Sequence, residues 1–283
     1  MRVAAVDLLG SGWKGHDYSS RVDQATPLGR EAVTALLAEA GCIAPAEESD
    51  ELIGAAAGDR DVLAAIVARR AEGEPLAWLT GSITFADVTL IVEPGVYVPR
   101  VQTEALARRA ASLLPPTGVA VDLCTGAGAI AAVMAAARPR ARVVATELDP
   151  IAARCARRNH VEVFEGSLDE PLPAVVEGTV DVMTAVVPYV PTDALRLLPR
   201  DVQAFEPRLA LDGGTDGTDL LAEVVQRAPR WLRAGGWLLL ELGGDQAEPV
   251  GRLSEEHGFT DIEVMVDEDG DPRAIAGRLG GGA

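Results

Sequence analysis

Apolar positions change their period along the chain. From Leu28 to Ala40, and again from Ser49 to Ala71, they recur at helical spacing, with Gly41 and Pro45 punctuating the gap. This spacing predicts a small helical N-terminal unit. Ile83 to Val98 alternates as a strand pair does, with Glu93-Pro-Gly95 read as its turn. Gln102 to Leu114 returns to helical spacing and is closed by Pro115-Pro116. From Val119 short apolar runs alternate with helical stretches. Strands are predicted at 119–123, 142–147, 161–164, 179–187, 236–242, 261–266 and 273–278, with helices at about 128–137, 150–158, 217–232 and 246–257.

Alternation of this kind builds a parallel, doubly wound α/β sheet whose ligands bind at the C-terminal ends of the strands. Asp267 to Pro272 is too short for a crossover, so the last two strands must pair antiparallel. Seven strands with an antiparallel last pair is the Rossmann-like arrangement of class I methyltransferases. The expected division is a helical N-terminal domain at 1–82, a β-hairpin and linker helix at 83–117, and a cofactor-binding domain at 118–283. Residues 1 to about 25 are polar and rich in Gly and Ser, and are predicted to be a mobile or loosely packed lead-in.

Composition narrows the partners. The formal net charge is -18, which argues against nucleic acid and against an anionic membrane surface. No apolar run approaches the roughly 20 residues of a spanning helix. The start lacks the basic-then-apolar order of a signal peptide. Cys42, Cys124 and Cys155 are far apart and odd in number, as in a reducing cytoplasm, and with the scattered His16, His160 and His257 they give no metal spacing. A cytoplasmic protein without a metal is expected; the oligomeric state is not legible.

The chemistry starts at Val119-Ala-Val-Asp-Leu-Cys-Thr-Gly-Ala-Gly-Ala-Ile130. A buried strand ends in Asp122, turns through Gly126 and Gly128, and enters an apolar helix. Glycine permits positive φ and close approach of a ligand. Glu147 ends the next strand, where a carboxylate takes both hydroxyls of a ribose. An adenosine cofactor is implied, either a nicotinamide dinucleotide or S-adenosylmethionine. Asp122 beside the turn would repel a pyrophosphate and suits a cationic sulfonium and ammonium, so S-adenosylmethionine is favoured. Asp149-Pro150 caps the following helix, which is a structural role.

Further segments agree with one another: Glu74-Pro-Leu-Ala-Trp-Leu-Thr-Gly81, Val98-Pro-Arg100 with Thr103-Glu104, Asp122-Leu-Cys-Thr-Gly-Ala-Gly128, Arg157-Arg-Asn159, Glu206-Pro-Arg-Leu-Ala-Leu211 and Asp216-Gly217. On these the chain resembles the protein-(glutamine-N5) methyltransferases, the release-factor methyltransferase family (HemK/PrmC), from about residue 30 to its end. The resemblance implies an N-terminal substrate-recognition domain, a β-hairpin linker and a catalytic domain with S-adenosylmethionine as donor. It implies donor contacts at Asp122, Cys124, Thr125, Gly126 and Gly128, at Glu147 and Leu148, and at Ser167 and Leu168. It implies an acceptor wall at Val186, Val187, Pro188 and Tyr189. Arg100 and Glu104, at the hinge between the domains, are expected either to gate the acceptor channel or to form a domain-interface salt bridge.

Two positions depart from that family. Its Asn-Pro-Pro-Tyr is here Val186-Val187-Pro188-Tyr189, and its Gly-Asp is Gly166-Ser167. An Asn side chain can hold a primary amide by acceptor and donor, and Val186 can do neither. Each lost hydrogen bond costs about 1–3 kcal/mol on the reacting group. The expectation from this is a small-molecule acceptor with an apolar body, methylated on nitrogen or aromatic carbon. The alternatives are a protein glutamine reached through backbone carbonyls, and a cofactor-binding relative without turnover. Tyr189 is expected to pack on the acceptor or the sulfonium. A Glu206–Arg208 pair is expected to fix its loop. No general base stands out.

Overall fold

The computed structural model of the protein describes residues 29–281, so the predicted lead-in lies outside the described residues. Two units are distinguished: residues up to Ser82 together with Arg200–Phe205, and Ile83–Pro199 together with Glu206 onward.

The first unit is helical: α1 (Arg30–Glu39), α2 (Pro45–Ala55), α3 (Arg60–Ala71) and α4 (Leu76–Thr80). The helical spacing read from Ser49 to Ala71 spans two helices, not an unbroken one. Gly58, at φ +86, separates them, and Asp59 starts α3 by accepting from the amides of Asp61 and Val62 at 2.9 and 3.1 Å. Val33, Leu37, Leu52, Ile66 and Val67 form its core.

In the second unit β1 (Ser82–Phe85) and β2 (Val88–Ile91) form the hairpin. Its turn is Ala86–Asp87, at φ +47 and +67, and not the predicted Glu93-Pro-Gly95. Nothing in the sequence marks Ala86 for positive φ. Glu93 begins a separate turn closed by Val96 N–H at 3.1 Å. α5 (Glu104–Leu113) leads into β3 (Val119–Leu123), α6 (Ala129–Ala137), β4 (Arg142–Glu147), α7 (Pro150–Arg158), β5 (Glu162–Glu165) and β6 (Val180–Ala185). After the excursion through α8 (Arg200–Phe205) come α9 (Asp219–Trp231), β7 (Leu232–Glu241), α10 (Ala247–Glu256), β8 (Phe259–Val266) and β9 (Pro272–Leu279).

The strands form a seven-stranded sheet in the order β5-β4-β3-β6-β7-β9-β8, parallel except for β9, which pairs antiparallel with β7 and β8. The class I methyltransferase fold is therefore present. Side chains alternate between two cores. Ala120, Ala145, Val182 and Leu239 face the layer of α5, α6 and α7, while Val121, Val144, Met183 and Leu238 face that of α9 and α10. Both sides of the sheet are covered, so β6 is buried at every position, including the polar Asp181 and Thr184. Strand order reverses between β3 and β6, and this switch point is where such sheets bind ligands.

Candidate functional site

Four strand ends meet at this edge. β4 ends at Glu147 and β3 runs into the glycine turn. β6 runs into Val186 to Tyr189, and β7 ends at Glu241. Adjacent strands lie about 4.8 Å apart. The register sets Asp122 beside both Ala145 and Thr184, and Ala185 beside Leu240.

Asp122 is 1% exposed. Its carboxylate accepts from the Thr125 hydroxyl at 2.5 Å and from the Thr184 hydroxyl at 2.6 Å. Burial pushes its pKa up to about 6, with the two hydroxyls opposing that rise and the Glu147 charge adding to it. Asp122 thus holds the turn together and sets a buried negative charge beneath it.

Glu147 takes the Gly126 amide on Oε2 at 2.8 Å and the Asp149 amide on Oε1 at 2.9 Å. Each carboxylate oxygen keeps a second lone-pair site, which suits a ribose diol. Burial raises this carboxyl as well, against those amide hydrogen bonds. Leu148 follows with half its surface exposed, an apolar platform at the strand end. Ser167 is half-buried, and Leu168 is buried at φ +45. Gly166 donates to the Glu147 carbonyl at 2.9 Å, which ties this loop to β4.

The two glycines of the turn differ. A Cβ on Gly126 would meet no protein atom within 4 Å, so its outer face is open to a ligand. A Cβ on Gly128 would lie 2.8 Å from Val161 Cγ2 and 3.2 Å from Ala156 Cβ. Gly128 therefore serves packing of the turn on α7. Cys124 sits in the turn at φ +53, and burial pushes its thiol up, so it offers no nucleophile.

The sequence reading matched Asn159 to a pattern without giving it a role. Its Oδ1 accepts from Ile91 N–H at 2.8 Å, and its Nδ2 donates to the carbonyls of Ile91 and Ala127, each at 2.8 Å. One side chain thus caps β2 and holds the cofactor turn from below.

Val186 is half-buried and packs against the core of the α5, α6 and α7 layer, and Val187 is buried in the opposite one. Both are held by the sheet ends. The Val187 carbonyl accepts no hydrogen bond from the described residues, whereas the Pro188 carbonyl is packed against Gly213, whose added Cβ would lie 2.6 Å from it. Tyr189 donates its hydroxyl to Glu241 Oε1 at 3.0 Å. Its phenol is raised by burial, by the Glu241 charge and by Tyr97.

Arg100 donates to Glu206 Oε1 at 2.5 Å, and its guanidinium lies 4.8 Å from the Tyr97 ring centroid. The expected Glu206–Arg208 pair does not form. Arg208 opens a short 3-10 turn that directs it to Asp212, at 2.8 Å. Glu104 stands apart from Arg100, in an ion pair with Arg108 one turn along α5. Glu241 was missed because a single carboxylate closing an apolar strand has no motif around it. Among the described residues no group of three or more His, Cys, Asp or Glu could hold a metal, and no helix is long and apolar enough to cross a membrane.

Known proteins share this organisation. The release factor glutamine methyltransferase of Mycolicibacterium smegmatis is 38% identical over 267 residues, 87% of this chain and 94% of its own. That of Geobacter sulfurreducens is 39% identical over 221 residues, 76% of this chain and 77% of its own. A methyltransferase structure from Pyrococcus furiosus, 21% identical, matches with a TM-score of 0.50 over 68% of this chain and 88% of its own. No protein-family model matches. The relatives' names overturn the expected small-molecule acceptor, because each names a protein acceptor. The inference from Val186 counted side-chain partners only.

Proposed function

The chain belongs to the release factor glutamine methyltransferase family, and from that premise we propose that it methylates the side-chain amide nitrogen of a glutamine in a translation release factor. It is an S-adenosylmethionine-dependent methyltransferase. Bound S-adenosylmethionine supplies a methyl group already activated on a positively charged sulfur.

The residues present fit that group. Asp122 and Glu147 offer negative charge and hydroxyl acceptors, Gly126 leaves its outer face open, and Leu148 offers an apolar surface. The chain's own work is alignment and exclusion of water. Glu147 and the Gly126 amide fix the donor end of the site. At the acceptor end the carbonyl of Val187 accepts an N–H group of a primary amide. That contact orients the nitrogen lone pair, and the Tyr189 ring bounds the site. After transfer the nitrogen sheds one proton and remains a neutral secondary amide, so no strong base is required.

The near-full-length likeness to the Mycolicibacterium smegmatis relative carries this reading. Its test is mass spectrometry of a purified release factor after incubation with the enzyme and S-adenosylmethionine. One added methyl group on a glutamine side chain, absent when that glutamine is replaced by Asn, supports it. An unmodified factor under conditions where the enzyme binds the donor refutes it.

A further inference from the structure

Tyr189 is gripped at both ends. Its hydroxyl reaches Glu241, and its carbonyl accepts from Gln246 Nε2 at 2.9 Å. The same nitrogen donates to the Asp216 carbonyl at 3.3 Å, while Gln246 Oε1 accepts from Gly243 N–H at 3.1 Å. Gln246 thus spends its whole amide on main chain. Glycines complete the mould: a Cβ on Gly217 would fall 2.1 Å from the Tyr189 carbonyl oxygen, and one on Gly213 2.7 Å from its Cα. Glu241 is 6% exposed and takes a second hydrogen bond from Thr103. Burying a carboxylate is costly unless it is well partnered. Here its partners are two hydroxyls, with Arg100 and Arg273 supplying charge from nearby. A neutral, apolar strand end would have cost less for stability alone.

We propose that Glu241 is a positioning residue for methyl transfer: through the Tyr189 hydroxyl it fixes the ring that aligns the acceptor, which Val186 cannot hold by a side chain. Gln246 fixes the same residue through its carbonyl. The inference rests on the reading of Val186 to Tyr189 as the acceptor wall. A shift of about 1 Å in such a wall costs on the order of a hundredfold in rate.

The test compares Glu241→Leu, Glu241→Gln, Tyr189→Phe and the double variant Tyr189→Phe/Glu241→Leu in the full chain. Labelled S-adenosylmethionine and a release factor serve as substrates, and circular dichroism checks folding. Glu241→Leu should lower kcat roughly tenfold or more, with KM for the donor within about twofold of wild type. Glu241→Gln, which keeps an acceptor oxygen, should retain most activity. Adding Glu241→Leu to Tyr189→Phe should cost less than about twofold further, since the hydroxyl it acts through is gone. Losses that multiply, or an unchanged kcat in Glu241→Leu, overturn the proposal. If the wild type transfers nothing to the factor, the acceptor reading fails, and the grip is read without turnover. In protein carrying 13C-labelled tyrosine, the Tyr189 ring signal, identified by its loss in Tyr189→Phe, should shift in Glu241→Leu and stay near its place in Glu241→Gln. An unshifted signal in Glu241→Leu overturns the grip itself.

Discussion

Burial lifts the Asp122 carboxyl to about 6, and this gives donor binding a pH dependence of definite sign. A cationic donor favours the ionised carboxylate, so affinity should be full above that value and fall as pH drops through it. The fall is at most tenfold per unit. Calorimetric titration with S-adenosylmethionine between pH 7.5 and 5 should show roughly a tenfold loss, and Asp122→Asn should bind weakly with that step removed. A flat profile in the wild type contradicts the role given to Asp122. The second residue-scale test is Val186→Asn. It adds an acceptor and donors for an amide, so kcat/KM on a release factor should rise about five- to thirtyfold, the equivalent of one good hydrogen bond. A drop in a well-folded variant would show that the amide does not face this side chain. Asp122 and Glu147 were legible in the sequence because each closes an apolar strand on either side of the Gly126 and Gly128 turn. The roles of Asn159 and Glu241 were not: Asn159 acts on backbone 68 and 32 positions away, and Glu241 closes its strand with no motif around it.

At the scale of elements, the support of the cofactor turn is divided between α7 and the hairpin. Asn159→Ala would strand Ile91 N–H and the carbonyls of Ile91 and Ala127, of which the Ile91 carbonyl keeps only a weak contact with Cys155 at 3.3 Å. Urea denaturation should show a loss of about 2–3 kcal/mol, and donor affinity should fall with it because Ala127 lies within the turn. A loss under about 0.5 kcal/mol would contradict this clamp. The glycines should separate. Gly128→Ala, forced against Val161, should destabilise the fold by about 1–3 kcal/mol, whereas Gly126→Ala should weaken donor binding more than it weakens the fold. The strands and helices of the sheet were legible from period alone, since each has one of two cores to face. The hairpin turn was not, because Ala86 adopts positive φ without a residue type that announces it. The break between α2 and α3 was signalled by Gly58 and Asp59 but hidden by the apolar spacing on either side.

For the whole molecule, the donor residues, the acceptor wall and the Tyr189 grip all belong to the unit that contains the seven-stranded sheet. The net charge of -18 disfavours nucleic acid as the acceptor, in keeping with a protein one. On the proposed function the acceptor is a protein glutamine, reached without a side-chain amide at position 186. The most direct measurement incubates the enzyme and methyl-labelled S-adenosylmethionine with an extract of the source organism, then separates macromolecules from small molecules. Label is expected in one protein band, the release factor, on a glutamine side chain. Label confined to the small-molecule fraction would contradict that reading.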